Sequence, residues 1–566
     1  MKVDLVLRGG TLCDGTGQDA RTADVVVHEG RILGTGRWDG PCAREIDVAG
    51  LIVAPGFIDV HTHYDAQVTW DGLLTPSCWH GVTTAVIGNC GFALAPCRAA
   101  ERERVLRMLE HVEGMPYASL AAGVAWDGET IPEYLAMLRR AALGPNVAAL
   151  IGHSTLRAYV LGDAAYERAA SEDEMERMEA LVREGMAAGA LGLATSFSPG
   201  HVGEGGRPVP SRLASRDELR RLVRAMATGG RGIVEITPAT FPLAADELAF
   251  LGELSRDASV PVSFSAILDV PGREDAWGPV FAGIRGETAR GARVHPQVSC
   301  RPMRFDFDLE SGCASLDALP CWRTFRAADG REARLSLLSD RGFRETFRSE
   351  ALGRADSPSR RRWPAVVVEE ATTPANRRHV GRTLGAIADE RGLDAPTVLL
   401  DLAREEALGA RFSMLLLNFD EERVGEILRE PEALIALSDA GAHVGILCDA
   451  GYATWLLGRW IRERGLFAWP EAVRRLTSMP ADIYGIPERG RLLAGRIADV
   501  TCFDPTRVAM RDPERVRDLP GGGERLVCRA DGIELVLVAG TELLGDGRIG
   551  EARPGRLVAP HTRSAT

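Results

Sequence analysis

Residues 55–63 read Pro55-Gly56-Phe57-Ile58-Asp59-Val60-His61-Thr62-His63. The apolar, β-branched run predicts a strand, punctuated by Pro-Gly at its start and giving way to a loop at Tyr64-Asp65. Side chains on a strand alternate faces, so His61 and His63 point the same way. Two neutral imidazoles so placed can meet one metal ion, each offering a ring nitrogen at about 2.0–2.1 Å. Two surface histidines leaving a strand by chance would give the same short motif, so the rest of the chain has to decide. A paired-histidine strand end near the start of a long α/β chain points to a metal-dependent hydrolase.

Outward from that stretch, apolar strand patterns alternate with helical ones, the signature of βα units and a parallel sheet. Strands are predicted at 58–63, 84–88, 147–151, 191–195, 232–236, 260–267, 293–298 and 435–438. Helices are predicted at 173–188, 217–227, 246–256 and 384–391, the first behind a capping box of Ser171 and Glu174. Eight such strands predict an α/β fold with a TIM-type (β/α)8 barrel over 55–489. Residues from about 303 to 380 break the rhythm with polar, Arg-rich and aromatic segments, as expected of an insertion on the barrel. Residues 1–54 and 490–566 share a style of short strands and glycine turns. They predict one small β domain built from both ends of the chain.

With 566 residues and 45% hydrophobic content the chain can bury a large core. A formal charge of −12 argues against nucleic acid and anionic membranes as partners; the small-molecule substrate expected of a metal-dependent hydrolase is not read from that charge. No signal peptide and no membrane-spanning run is read, so a cytoplasmic protein is expected, with a homo-oligomer left open. Eleven cysteines, scattered and never spaced CxxC, fit a reducing compartment rather than a disulfide framework. Lys2 is the only lysine, which excludes a carboxylated lysine as a bridge between two metals.

Active-site residues of a barrel belong at the C-terminal ends of its strands. Cys90, in Gly88-Asn89-Cys90-Gly91, reads either as a zinc thiolate or as a buried inert cysteine. Asp439, in Ala436-Leu437-Ser438-Asp439-Ala440-Gly441, reads either as a metal ligand and proton acceptor or as a turn cap, with the small residues after it leaving room for substrate. His153 and Arg157 follow the third strand, where they would bind a substrate carbonyl or carboxylate or else close a local turn. His443 carries the same alternatives, and Arg301 would anchor a carboxylate or pair with an acidic neighbour.

Taken in order, PGFIDVHTHYD at 55–65, HGVTTAVIGNCG at 80–91, GHSTLR at 152–157, ALSDAGAHV at 436–444 and GRLLAGRIADVTCFDP at 490–505 resemble the amidohydrolase superfamily, in its D-aminoacylase (N-acyl-D-amino-acid deacylase) branch. The resemblance implies His61, His63, Cys90 and Asp439 as metal ligands, with Asp439 also the general base. It also implies one histidine on the fifth strand and one on the sixth. Here those strands read Gly232-Ile233-Val234-Glu235-Ile236 and Val262-Ser263-Phe264-Ser265-Ala266-Ile267, with none. Glu235 is then a substitute oxygen ligand, a substrate contact or a barrel salt bridge. One zinc ion is expected, without a second site. The activity implied is cleavage of the amide bond of an N-acyl amino acid, D configuration included. The alternatives are hydrolysis of a cyclic amide or imide, or another C–N bond, on the same fold, and a non-catalytic scaffold with a decayed metal site.

Overall fold

Eight short strands run parallel, each beside the next in sequence: β1 Phe57–Asp59, β2 Val82–Ile87, β3 Asn146–Gly152, β4 Gly192–Ser196, β5 Ile233–Thr237, β6 Val262–Ile267, β7 Val294–Val298 and β8 Leu434–Ile435. A parallel bridge between Thr62 and Ala440 joins the first to the last, and His63 N donates to Ala440 O at 2.7 Å. The computed structural model describes residues 1–560 apart from 274, 313, 318 and 354–361. The predicted insertion and the end of the small β domain therefore lie partly outside the described residues.

Strands β2, β3 and β4 are buried at every position. Both faces of a barrel strand are covered, one by the interior and one by helices, so the run is apolar without alternation. The helix Glu172–Ala188 begins where the capping box requires: Ser171 Oγ accepts from Glu174 N, and the Glu174 carboxylate accepts from Ser171 N.

The two strands that carry the site end earlier than the sequence predicts. β1 stops at Asp59, although Thr62 N still reaches Val86 O at 3.2 Å. β8 stops at Ile435 because Leu437 and Asp439 take positive φ, 62° and 43°, which turns the chain out of the extended conformation.

A nine-stranded sheet joins the chain ends. Ile52–Pro55 pairs antiparallel with Val500–Phe503, from Phe503 opposite Ile52 to Val500 opposite Pro55. The chain thus leaves this sheet at Pro55 directly into β1 and comes back to it at Val500. A third unit stands on Met303–Phe307, Val367–Glu370 and Arg411–Leu417, an antiparallel sheet with its own core around Trp322, Phe325, Phe347, Trp363 and Phe412. Among the described residues no helix is long and apolar enough to cross a membrane.

Candidate metal centre

His61 and His63, on alternate positions beyond β1, and Cys90, just past β2, bring ligand atoms within 4.8 Å of one another. Asp439, beyond β8, closes the group: its Oδ1 lies 3.2 Å from His61 Nε2 and 3.7 Å from His63 Nε2. Two atoms bound to one tetrahedral zinc at 2.0–2.1 Å stand ~3.4 Å apart, close to these two histidine–aspartate separations. His61 is 1% exposed and His63 and Cys90 are each 7% exposed, whereas the Asp439 side chain is 19% exposed. Solvent therefore reaches the group from the aspartate side.

Backbone conformation aims these residues. Cys90, Leu437, Asp439 and His443 all hold positive φ, between 43° and 62°. Such positions cost about 1–3 kcal/mol each and persist where surrounding structure over-determines them. Gly441 shows how close the packing is, since a Cβ there would fall 2.7 Å from the His63 carbonyl oxygen. Of the small residues after Asp439 expected to admit substrate, Gly441 instead makes room for the β1 extension.

Each imidazole is held by a partner that the sequence did not reveal. His61 Nδ1 donates to Gln297 Oε1 at 2.7 Å, and Gln297 Nε2 in turn donates to Ser263 Oγ (3.1 Å) and Tyr484 Oη (3.2 Å). The amide orientation thereby sets the His61 tautomer and leaves Nε2 free to face the group. Glu113, the last residue of the helix Arg102–Glu113, places Oε1 3.3 Å from His63 Nδ1. Such outer carboxylates and amides orient metal-binding histidines and raise their basicity. Nothing in the local sequence of Glu113 distinguishes it from its neighbours on that helix. Gln297 leaves one faint trace, a polar residue in the Val-His-Pro-Gln-Val strand.

The electrostatics follow from burial against these pairs. Burial pushes His61 down to about 4 and Glu113 up to about 7. Burial also disfavours charge on His63, but Glu113 and Asp439 overcome it and raise the ring well above its ordinary value. For Asp439 the hydrogen bond from His63 and the charges of both rings outweigh burial and keep it a carboxylate. The Cys90 thiol is pushed up to about 12 by burial and by Glu235. A cation at the group would act in the opposite sense and favour the thiolate.

Glu235, fully buried on β5, accepts from Cys90 N at 2.8 Å and from Ser265 Oγ at 3.4 Å, and lies 3.9 Å from His61 Nδ1. Thr237 Oγ1 donates to Cys90 Sγ at 3.3 Å and stands 3.2 Å from Ser265 Oγ. The β5 and β6 side chains around Cys90 are thus a carboxylate and two hydroxyls, with no nitrogen donor. His443 donates its backbone N–H to Glu113 O and takes a lowered ring pKa from burial. His201, which the sequence reading passed over, sits edge-on to Phe92 with Nδ1 2.7 Å from Ser196 Oγ, close enough to feel the charges of His63, His443 and Asp439.

His153 and Arg157 have no exposure and serve the fold. His153 is held between Thr195 Oγ1 (2.8 Å) and Glu218 Oε1 (2.9 Å), and Arg157 donates to Glu218 and to Arg168 O. Arg301 takes the second of its two readings: it pairs with Asp449 at 3.0 Å and donates to Cys448 O at 2.6 Å.

Comparison with known proteins places the chain in a family. The model of the amidohydrolase family matches residues 44–543. A D-aminoacylase of Alcaligenes xylosoxydans xylosoxydans is 31% identical, with 89% of each chain covered. A solved D-aminoacylase with a binuclear metal centre, described by one-metal activation and second-metal attenuation, superposes with a TM-score of 0.65 at 27% identity over 98% of this chain and all of that one. An N-acyl-D-glutamate deacylase of Bordetella bronchiseptica, solved with zinc and a phosphonate mimic of the tetrahedral intermediate, also gives 0.65, at 26% identity over 99% of this chain and all of that one.

Proposed function

Since this chain belongs to the amidohydrolase family, we propose that it is a zinc-dependent hydrolase of N-acyl-D-amino acids, releasing a carboxylic acid and a free amino acid. The observation that carries this reading is the approach of Asp439 Oδ1 to the Nε2 atoms of His61 and His63, at 3.2 and 3.7 Å. The similarity to D-aminoacylase and to an N-acyl-D-glutamate deacylase supports the substrate class.

His61, His63 and Asp439 would hold one zinc ion, with Cys90 as the further ligand. The absence of a nitrogen donor on β5 and β6 beside Cys90 favours one ion over two. Bound there, zinc supplies a Lewis acid for the scissile carbonyl and lowers the pKa of water. Gln297 and Glu113 keep the two imidazoles pointed inward. The Asp439 carboxylate, held ionised and reachable from solvent, takes the proton of the attacking water and returns it to the leaving amine nitrogen.

The test is a panel of N-acyl-D- and N-acyl-L-amino acids beside cyclic imides, with the Asp439→Asn variant. Hydrolysis of the D series is expected, falling by about 10²–10⁴-fold in the variant as for loss of a general base. Ring opening of imides without deacylation would overturn the substrate assignment, and full activity in the variant would overturn the role of Asp439.

A further inference from the structure

The chain leaving β8 carries Asp439 near its start and Cys448 further on, and Cys448 meets a second thiol. Its Sγ lies 3.3 Å from Cys528 Sγ, 80 residues away in sequence, and both cysteines are buried. Cys528 directly follows the strand Gly523–Val527, and the two segments are already tied by Leu526 N donating to Val444 O at 2.7 Å. His80 Nε2 stands 3.4 Å from Cys528 Sγ, and Arg301 donates to the Cys448 carbonyl.

The two sulfurs are not equivalent. The hydrogen bond from Cys528 and the charge of Arg301 favour the Cys448 thiolate, whereas burial and the neighbouring Cys448 hold Cys528 as a thiol. Cys448 also lines a cavity of about 560 Å³ between the barrel mouth and the third unit, together with Arg301, Asp449, Trp455 and Met510. Of the pair, Cys448 is the one that borders that cavity. The hydrolytic group at His61, His63, Cys90 and Asp439 makes no use of either thiol.

We propose that Cys448 and Cys528 form a peroxide-oxidisable dithiol, a modification site separate from the metal centre. The Cys448 thiolate attacks a hydroperoxide: the O–O bond breaks, an S–O bond forms, and the departing oxygen takes up the proton Cys448 had released. Cys528 sulfur then attacks the sulfenic sulfur of Cys448. The S–S bond forms, the S–O bond breaks, and the Cys528 proton leaves with the hydroxyl as water. Two electrons pass from the pair to the peroxide. The bond ties the Cys448 end of this connection to the segment that already pairs with it.

The test treats the full chain, as purified, with hydrogen peroxide, then alkylates free thiols and maps peptides without reductant. The expected product joins the Cys448 and Cys528 peptides, two hydrogens lighter than their sum, and separates with dithiothreitol. It is absent from Cys448→Ser and from Cys528→Ser. Recovery of both residues as alkylated free thiols, as separate sulfinic acids, or linked to other cysteines would overturn the proposal. The wild-type map alone decides the matter if either variant fails to fold.

Discussion

At the residue scale, the site depends on two side chains that touch the histidines from behind. Glu113 Oε1 stands 3.3 Å from His63 Nδ1 as an ion-pair partner, and Gln297 Oε1 accepts from His61 Nδ1. Loss of such a partner costs about 10–100-fold in metal affinity. Glu113→Gln is therefore expected to weaken zinc binding by about tenfold or more, read by competition with a chromophoric chelator. An unchanged affinity would remove Glu113 from the orienting role. That His61, His63 and Asp439 come together was legible, because all three sit at strand ends of one barrel. Glu113 and Gln297 were not, because only the packing of a helix end and of β7 brings them to the rings.

At the scale of elements, the eight strands were legible as apolar runs, because a strand covered on both faces has no polar side to interrupt it. Where β1 and β8 end was not legible, since the positive φ values at Leu437 and Asp439 fall on residues that do not announce them. The segment 152–157 shows the opposite case: a histidine and an arginine after a strand look functional and instead lock helices together. Helix His153–Leu161 supplies His153 and Arg157, and helix Arg216–Met226 supplies Glu218, all of them buried. Removing one partner leaves an uncompensated buried charge, which costs about 3–5 kcal/mol. Glu218→Gln should lower the unfolding free energy by that amount in denaturant titrations, and a loss near zero would show that Arg157 is satisfied without the carboxylate.

At the scale of the whole molecule, the barrel and the sheet that joins the chain ends were legible because both repeat one pattern many times. The third unit showed only as a break in rhythm, since its core rests on aromatic residues such as Trp322, Phe325 and Phe347 scattered among arginines. Burial also gives the molecule an acid liability. His80 and His295 are pushed down to about 4 by desolvation, against an ordinary value near 6.5. Their folded pKa lies below the unfolded one, so between those values the unfolded chain binds more protons and stability rises with pH. The two rings should accordingly stay neutral as pH drops from about 6.5 toward 4, read by NMR titration of their ring protons, and protonation near 6.5 would contradict the burial of neutral imidazoles. The central claim, one zinc ion held by His61, His63 and Asp439, is tested most directly by the metal content of the purified chain, measured by inductively coupled plasma mass spectrometry. About one zinc per chain is expected, lost in a His61→Ala, His63→Ala double variant. Two ions per chain, or none after zinc is supplied, would contradict it.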